Sequence, residues 1–143
     1  MASPEIVTTN SEEETFALGQ NVAKTLSPGT FVLLHGDLGA GKTAFVRGMA
    51  AGLGANPDEV SSPTFVLIQH YKAPTPLVHV DLYRLEHSAA VDDLGLEELA
   101  SGAVVAVEWA ERLGGFETPG AVQVFLSYLD EHSRKISICR SSP

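Results

Sequence analysis

The stretch Gly36-Asp37-Leu38-Gly39-Ala40-Gly41-Lys42-Thr43 decides how the rest of this chain is read. Gly36 and Gly41 bracket four residues, and a lysine and a hydroxyl residue follow at once. The flanks match. Phe31-Val32-Leu33-Leu34 before it is a continuous apolar run, as expected of a strand buried on both faces. After it the pattern predicts a helix from about Lys42 to Leu53, closed by Gly54 at its C-cap position. A glycine-rich turn between a buried strand and a helix is suited to hold an anion. Its glycines adopt positive φ and let the backbone come close, and successive N–H groups point inward. The helix N-terminus adds partial positive charge worth about 0.3–1 kcal/mol, rising to ~2 in partly buried geometry.

The pattern is that of a phosphate loop for ATP or GTP with magnesium. Gly36, Asp37, Leu38, Gly39, Ala40, Gly41, Lys42 and Thr43 would form the cradle. Lys42 supplies a full charge to the β and γ phosphates, and the Thr43 hydroxyl suits a magnesium ion. On this reading Lys42 stands exposed until phosphate arrives. The same chemistry needs a carboxylate from a neighbouring strand to hold the metal or position the attacking water. Two strands end in one: Leu77-Val78-His79-Val80-Asp81 and Val104-Val105-Ala106-Val107-Glu108. Both place the acid at a C-terminal strand end, where open sheets gather their ligands. The residues leave open which of Asp81 and Glu108 does which task. Ser62 and Thr64 bracket Pro63 in a loop able to reach the γ-phosphate as a switch segment does. Trp109 reads as core packing, and Cys139 as a small apolar strand residue. His35, His70, His79, His87 and His132 show no metal-ligand spacing and read as structural or solvated.

Working outward, Glu5 to Thr9 is a short first strand, and Ser11-Glu12-Glu13-Glu14 is a capping box in which Ser11 accepts from the new helix while Glu14 reaches back. That helix carries Leu18, Val22 and Leu26 on one face and stops at Ser27-Pro28-Gly29. Phe65 to Tyr71 is a strand, and the Pro74/Pro76 turn leads into Leu77 to Asp81. Ser88 caps a short helical stretch that Gly95 interrupts, and Ala103 to Val107 is a second apolar strand. Ala121 to Leu129 and Lys135 to Cys139 form an antiparallel hairpin around Asp130 to Arg134. Strands separated by helices imply a three-layer α/β fold of the P-loop NTPase kind: a mainly parallel sheet, helices on both faces, and the hairpin last.

The 143 residues suit one domain spanning 1–143. At this length roughly 68–70% of the unfolded surface is buried, so no disulfide staple is needed. The single cysteine permits no internal disulfide. No basic segment followed by an apolar run opens the chain, no apolar stretch approaches a membrane span, and the expected compartment is cytoplasmic. The formal charge of −9, with only nine Lys and Arg, argues against independent nucleic-acid binding. Phosphate contacts need a clustered basic surface.

Taken together, four blocks resemble the TsaE (YjeE) family, the bacterial ATPase subunit of the machinery that makes threonylcarbamoyladenosine in tRNA. They are the phosphate loop followed by Arg47-Gly48, then Ser62-Pro63-Thr64-Phe65, His79-Val80-Asp81-Leu82-Tyr83-Arg84-Leu85 and Val107-Glu108-Trp109-Ala110-Glu111-Arg112. They occur in the family's order from Leu34 to Arg112. The resemblance implies an Mg-ATP site among the loop, Asp81 and Glu108, with turnover resting on Lys42, Asp81 and Glu108. It implies Thr43 and Glu108 at the metal, Ser62 to Thr64 as a switch-like segment, and Ser11 close to the nucleotide. The family's last hairpin carries an arginine near the adenine, and Arg134 is the nearest match. Two positions depart from the family pattern. Ala110 stands where proline commonly follows the tryptophan. Ala44 stands where a second threonine commonly follows the loop, which removes a hydroxyl from the α-phosphate contacts. Partners of the TsaB and TsaD type are implied, with this subunit resetting the enzyme that transfers the threonylcarbamoyl group. Two other readings use the same loop: a small-molecule kinase, which needs an arginine-rich lid and an acceptor pocket, and a nucleotide-dependent switch with little turnover.

The charge yields a first prediction. The isolated protein has no measurable affinity for tRNA at physiological salt, because its basic residues are few and interrupted by acids. A gel-shift assay with pure protein checks this, and tight, salt-sensitive binding would overturn the electrostatic argument.

Overall fold

In chain order the elements are β1 (Glu5–Thr9), α1 (Glu12–Ala23), β2 (Phe31–His35), α2 (Lys42–Leu53), β3 (Ile68–Tyr71), β4 (Leu77–Asp81), α3 (Leu96–Ala100), β5 (Val104–Glu108), β6 (Val122–Tyr128) and β7 (Arg134–Arg140). Single 3₁₀ turns lie at Pro57–Glu59 and Ala110–Leu113. The computed structural model describes residues 4–36, 40–60, 68–82, 94–114 and 116–140.

The described residues form one seven-stranded sheet in the order β1-β7-β6-β2-β5-β4-β3. Its centre, β6-β2-β5-β4, is parallel. Both flanks are antiparallel: β7 joins β6 and β1 on one side, and β3 joins β4 on the other. Composition explains the difference. The apolar positions of β2 and β5 are buried on both faces, as a central parallel strand requires. β6 and β7 alternate buried with exposed positions, as a flank covered on one side requires.

Side-chain alternation divides the core into two layers. Val32, Leu34, Leu77, Val104 and Ala106 face one side and pack with α1 and α2. Phe31, Leu33, Val78, Val80, Val105 and Val107 face the other and pack with α3 and the Ala110–Leu113 turn. Helices thus cover both faces, as expected.

α1 and α2 run side by side in the same direction. A Cβ added to Gly19 would collide with the Phe45 carbonyl of α2, and one on Gly48 would collide with the Phe16 carbonyl of α1. Glycine at these crossings lets the two backbones touch. The start of α1 is held by Ser11, which accepts from the Glu14 N–H at 3.1 Å. Glu14 reaches back one residue further than a simple capping box, accepting from the Asn10 N–H at 2.9 Å. The Thr9 and Thr15 hydroxyls, buried and 2.7 Å apart, join the end of β1 to the first turn.

One boundary differs from the sequence reading. α1 ends at Ala23 rather than Ser27, because the last turn tightens: Thr25 and Leu26 bond back three residues, and the Thr25 hydroxyl donates to the Val22 carbonyl at 2.7 Å. Leu26 still packs against the core. Gly95, in the left-handed region at φ 69°, separates the 3₁₀ residue Leu94 from α3; Ser88 and Val91 lie outside the described residues. β3 is described from Ile68 onward, and Phe65 falls outside. In the final hairpin, Asp130 accepts the His132 and Ser133 N–H groups, each at 2.9 Å. The His132 bond is the main reason its carboxyl is held below the usual range, with slight burial opposing and Ser133 assisting. Among the described residues no helix is long and apolar enough to cross a membrane.

The helix crossing is testable. Gly48→Ala and Gly19→Ala should each lower the unfolding free energy by about 1–3 kcal/mol, because the obstacle is backbone and outweighs alanine's helix propensity. Gly102→Ala, with nothing within 4 Å of an added Cβ, should be close to neutral. Denaturant unfolding of the three variants decides, and a neutral Gly48→Ala would show that the helices are not in backbone contact.

Candidate functional site

β2 ends in the middle of the sheet, between β5 and β6. The chain leaves it at Gly36, where φ is 152° and an added Cβ would lie 2.6 Å from the Leu126 carbonyl oxygen. It re-enters regular structure at Gly41, in the left-handed region at φ 98°, which forms the N-cap of α2. Ala40 between them is buried. Asp37, Leu38 and Gly39 lie outside the described residues. Because Gly41 has no side chain, α2 has no side-chain cap, and its first turn carries no acid. α1, starting beside it, has both a serine cap and three acids in its first turn. Two neighbouring helix N-termini thus differ: the N-cap side chain of one meets an N–H of its first turn, and the N-cap of the other offers none.

Between them lies a cleft of about 530 Å³. Gly41, Lys42, Thr43 and Ala44 form one wall, and Glu108 is at the floor. Ser11 stands on the opposite wall with Asn10 and Thr15, flanked by Glu12 and Glu13. Arg134 closes the rim from the hairpin, beside Glu131 and His132. Its guanidinium lies 4.6 Å from the centre of the Tyr128 ring and donates to the Asp130 and Ser133 carbonyls at 2.7 and 2.9 Å. The volume falls within the range of small-molecule sites, roughly 300–1,000 Å³.

The floor is a chain of buried polar groups. Lys42 is only 6% exposed, a correction to the expectation of a solvent-facing lysine. β5 delivers Glu108 directly beneath the loop and Trp109 beside it, so the lysine folds over both. Its Nζ lies 3.9 Å from Glu108 Oε1 and 4.8 Å from the centre of the Trp109 ring. Glu108 Oε2 in turn meets His79 Nε2 at 2.6 Å, with the imidazole wholly buried. His79 Nδ1 has no partner among the described residues, at a cost on the order of 1–3 kcal/mol.

Asp81, half-buried at the end of β4, is the direct register partner of Glu108, so the two predicted carboxylates stand side by side. Trp109 does pack partly against the second core layer, as expected, but it also receives Lys42, and Arg112 lies 6.0 Å from its ring centre. It is the one non-glycine described residue with positive φ, at 59°, where the strand breaks into the following 3₁₀ turn.

Most of the site anticipated from sequence therefore converges on one cleft: Ser11, Gly41, Lys42, Thr43, Ala44, Glu108 and Arg134 line it, and Asp81 adjoins Glu108. Ser62, Pro63 and Thr64 lie outside the described residues. The Val60 carbonyl just before them accepts from Arg47 Nε of α2 at 3.1 Å. Sequence reasoning missed His79, classed with the scattered histidines. The available signal was its place two residues before Asp81 in an otherwise apolar strand, which puts both on one face. Chemically, an uncapped helix end, a lysine and two adjacent carboxylates suit a polyanion accompanied by a cation.

A family model described as threonylcarbamoyl adenosine biosynthesis protein TsaE matches residues 9–136. A Rickettsia felis protein named tRNA threonylcarbamoyladenosine biosynthesis protein TsaE is 41% identical over 93% of this chain and 78% of its own length. The Aquifex aeolicus protein of the same name is 39% identical over 91% of this chain and 92% of its own. Among solved structures, the crystal structure of YdiB from Bacillus subtilis superposes with a TM-score of 0.79 at 32% identity, covering 99% of this chain and 88% of that one. The cleft at the end of β2 is thus set in a chain that belongs to the TsaE family of threonylcarbamoyl adenosine biosynthesis proteins.

Proposed function

We propose that this chain is the ATP-hydrolysing subunit required for threonylcarbamoyladenosine modification of tRNA, acting on partner proteins of the TsaB and TsaD type. The observation that carries this reading is the contact between Lys42 and Glu108 on the floor of the cleft. A phosphate-loop lysine beside a strand-end carboxylate is the minimum machinery for phosphoryl transfer to water.

The donors present fit Mg-ATP. The bare N-terminus of α2 and Lys42 suit the phosphates, and Arg134 and Ser11 stand where the rest of the nucleotide would extend. Thr43 and Glu108 would hold magnesium, with Asp81 beside them. No three His, Cys, Asp or Glu side chains among the described residues converge into a metal cage. That donor set fits an ion that relies on one or two carboxylates, waters and the substrate's own phosphates. Magnesium bound there supplies charge neutralisation to the phosphate oxygens. Lys42 orients the β and γ phosphates, and Glu108 or Asp81 accepts a hydrogen bond from the attacking water. Substrate exchange requires Lys42 to leave Glu108 and Trp109 for the phosphates, which links nucleotide state to the end of β5. That link is the means by which hydrolysis resets a partner bound near the loop. The net charge of −9 supports action through proteins rather than by direct contact with tRNA.

Lys42→Ala should abolish ATP binding or hydrolysis. It should also cost roughly 1–3 kcal/mol of stability, less than breaking a tight buried pair, since His79 still bonds Glu108. Glu108→Ala and Asp81→Ala should each lower kcat by at least roughly 100-fold while nucleotide affinity changes far less. Phosphate release is measured with and without the partner proteins; equal loss of binding and turnover would mark the carboxylates as structural. Phosphate release without an acceptor also distinguishes hydrolysis from a kinase.

Trp109 provides an independent readout, being the single tryptophan of the chain. Withdrawal of Lys42 from its ring should change its fluorescence on titration with Mg-ATP. A flat signal at saturating nucleotide would mean that Lys42 does not move.

A further inference from the structure

One buried side chain at the cleft is left without a task in that scheme. His79 sits at the centre of β4 with no exposed surface, between Val78 and Val80, which point into the opposite layer. Its register partner on β5 is Ala106, while Asp81 pairs with Glu108. The small side chain of Ala106 leaves room for the imidazole to lean along the sheet, and Nε2 reaches Glu108 Oε2 at 2.6 Å. A carboxylate oxygen only accepts, so Nε2 is the donor and Nδ1 is left without a partner among the described residues. A leucine would fill this place without the unpartnered Nδ1, but would leave Glu108 Oε2 unmet. What the imidazole adds is the bond to Glu108.

Both Glu108 oxygens are thereby assigned: Oε2 to His79 beneath, and Oε1 toward Lys42 at 3.9 Å. We infer that His79 is a positioning residue that locks the Glu108 carboxylate so that Oε1 faces the phosphate loop. This rests on the reading of Glu108 as a group that acts on Mg-ATP. His79 does not reach the nucleotide itself. It removes the rotational freedom of the one carboxylate that β5 offers the site, as outer partners do for ligands at metal centres.

The consequence separates His79 from a packing residue. His79→Leu should fold with some loss of stability from the unmet Glu108 Oε2 and retain nucleotide affinity within about threefold, yet lose roughly 10–100-fold in kcat. His79→Gln, whose amide N–H can take the place of Nε2–H, should recover much of that loss. In a Glu108→Gln background, His79→Leu should add no further defect, because its effect passes through Glu108. A His79→Leu variant with kcat within about twofold of wild type, or a Gln variant no better than Leu, would overturn the proposal. A second measurement uses the unaltered chain and does not depend on His79 variants folding. Long-range ¹⁵N–¹H NMR of the imidazoles should show His79 protonated at Nε2, with its signals displaced in Glu108→Ala. Ring signals unmoved by that change sink the proposal. The same spectra separate the two readings: if the wild type releases no phosphate from ATP with or without partners, the ATPase assignment fails, while the His79–Glu108 bond is still decided by NMR.

Discussion

A carboxylate enclosed by protein must be met by hydrogen bonds or opposite charge, and Glu108 is the place where this fold meets that requirement. It lies at the end of a strand whose other residues are all apolar and buried. Two elements are needed to satisfy it. β4 brings His79 to one oxygen, and α2 brings Lys42 to the other. Neither could do so without the sheet order, which sets β5 between β4 and β2 and directs β2 straight into α2. The central parallel strands and the polar floor of the cleft are therefore one arrangement seen at two scales. Taking the ions out of water costs several kcal/mol each before their mutual attraction is counted. An apolar floor would favour stability more simply, which is why this triad is read as functional rather than as a staple.

Much of this was legible in the sequence, for identifiable reasons. β1 and β4 lie at the bounds read from the sequence, and α2 runs from Lys42 to the left-handed Gly54 because glycine supplies the positive φ that ends the helix. The C-terminal hairpin follows from alternation on both sides of a turn rich in Asp, His and Ser. The glycine-rich turn before α2 and the two strand-end acids were visible because each carries its context with it. Other features were not. The end of α1 depends on a hydroxyl, Thr25, competing for a carbonyl, which a periodic pattern does not record. The burial of Lys42 depends on what β5 brings beneath it, and the role of His79 depends on its register with Ala106 and Glu108. Register across a parallel sheet is a long-range property. A single strand's pattern specifies which residues share a face, but not which residue of a neighbour they meet.

The family relationship and the geometry also explain each other. The blocks shared with the TsaE family fall on the phosphate loop, the ends of β4 and β5, and the segment beyond Val60. The ends of β2, β4 and β5 are the points where the chain leaves the parallel centre of the sheet on one side. Ala44, which departs from the family pattern, lines the cleft in the first turn of α2, where the helix presents backbone N–H groups in any case. Ala110 is buried at the start of the 3₁₀ turn, with the left-handed residue Trp109 before it already setting the change of direction.

The backbone contact between α1 and α2 has a mechanical consequence. Helices separated by large side chains can slide as those side chains change rotamer. Gly19 and Gly48 leave nothing to repack between the two backbones. Ser11 and Gly41, at the starts of these helices, are consequently fixed at a constant separation, and two walls of the cleft behave as one stiff bracket. Among the described residues the opposite wall is the hairpin turn at 130–133, which is mostly exposed and carried by short local bonds, with a tie from Ser133 to Asn10 at 3.1 Å. Among the described walls the helix starts are thus the stiff ones and the hairpin turn the more yielding one. The spacing of the two helix starts therefore acts as a fixed gauge for whatever enters between them.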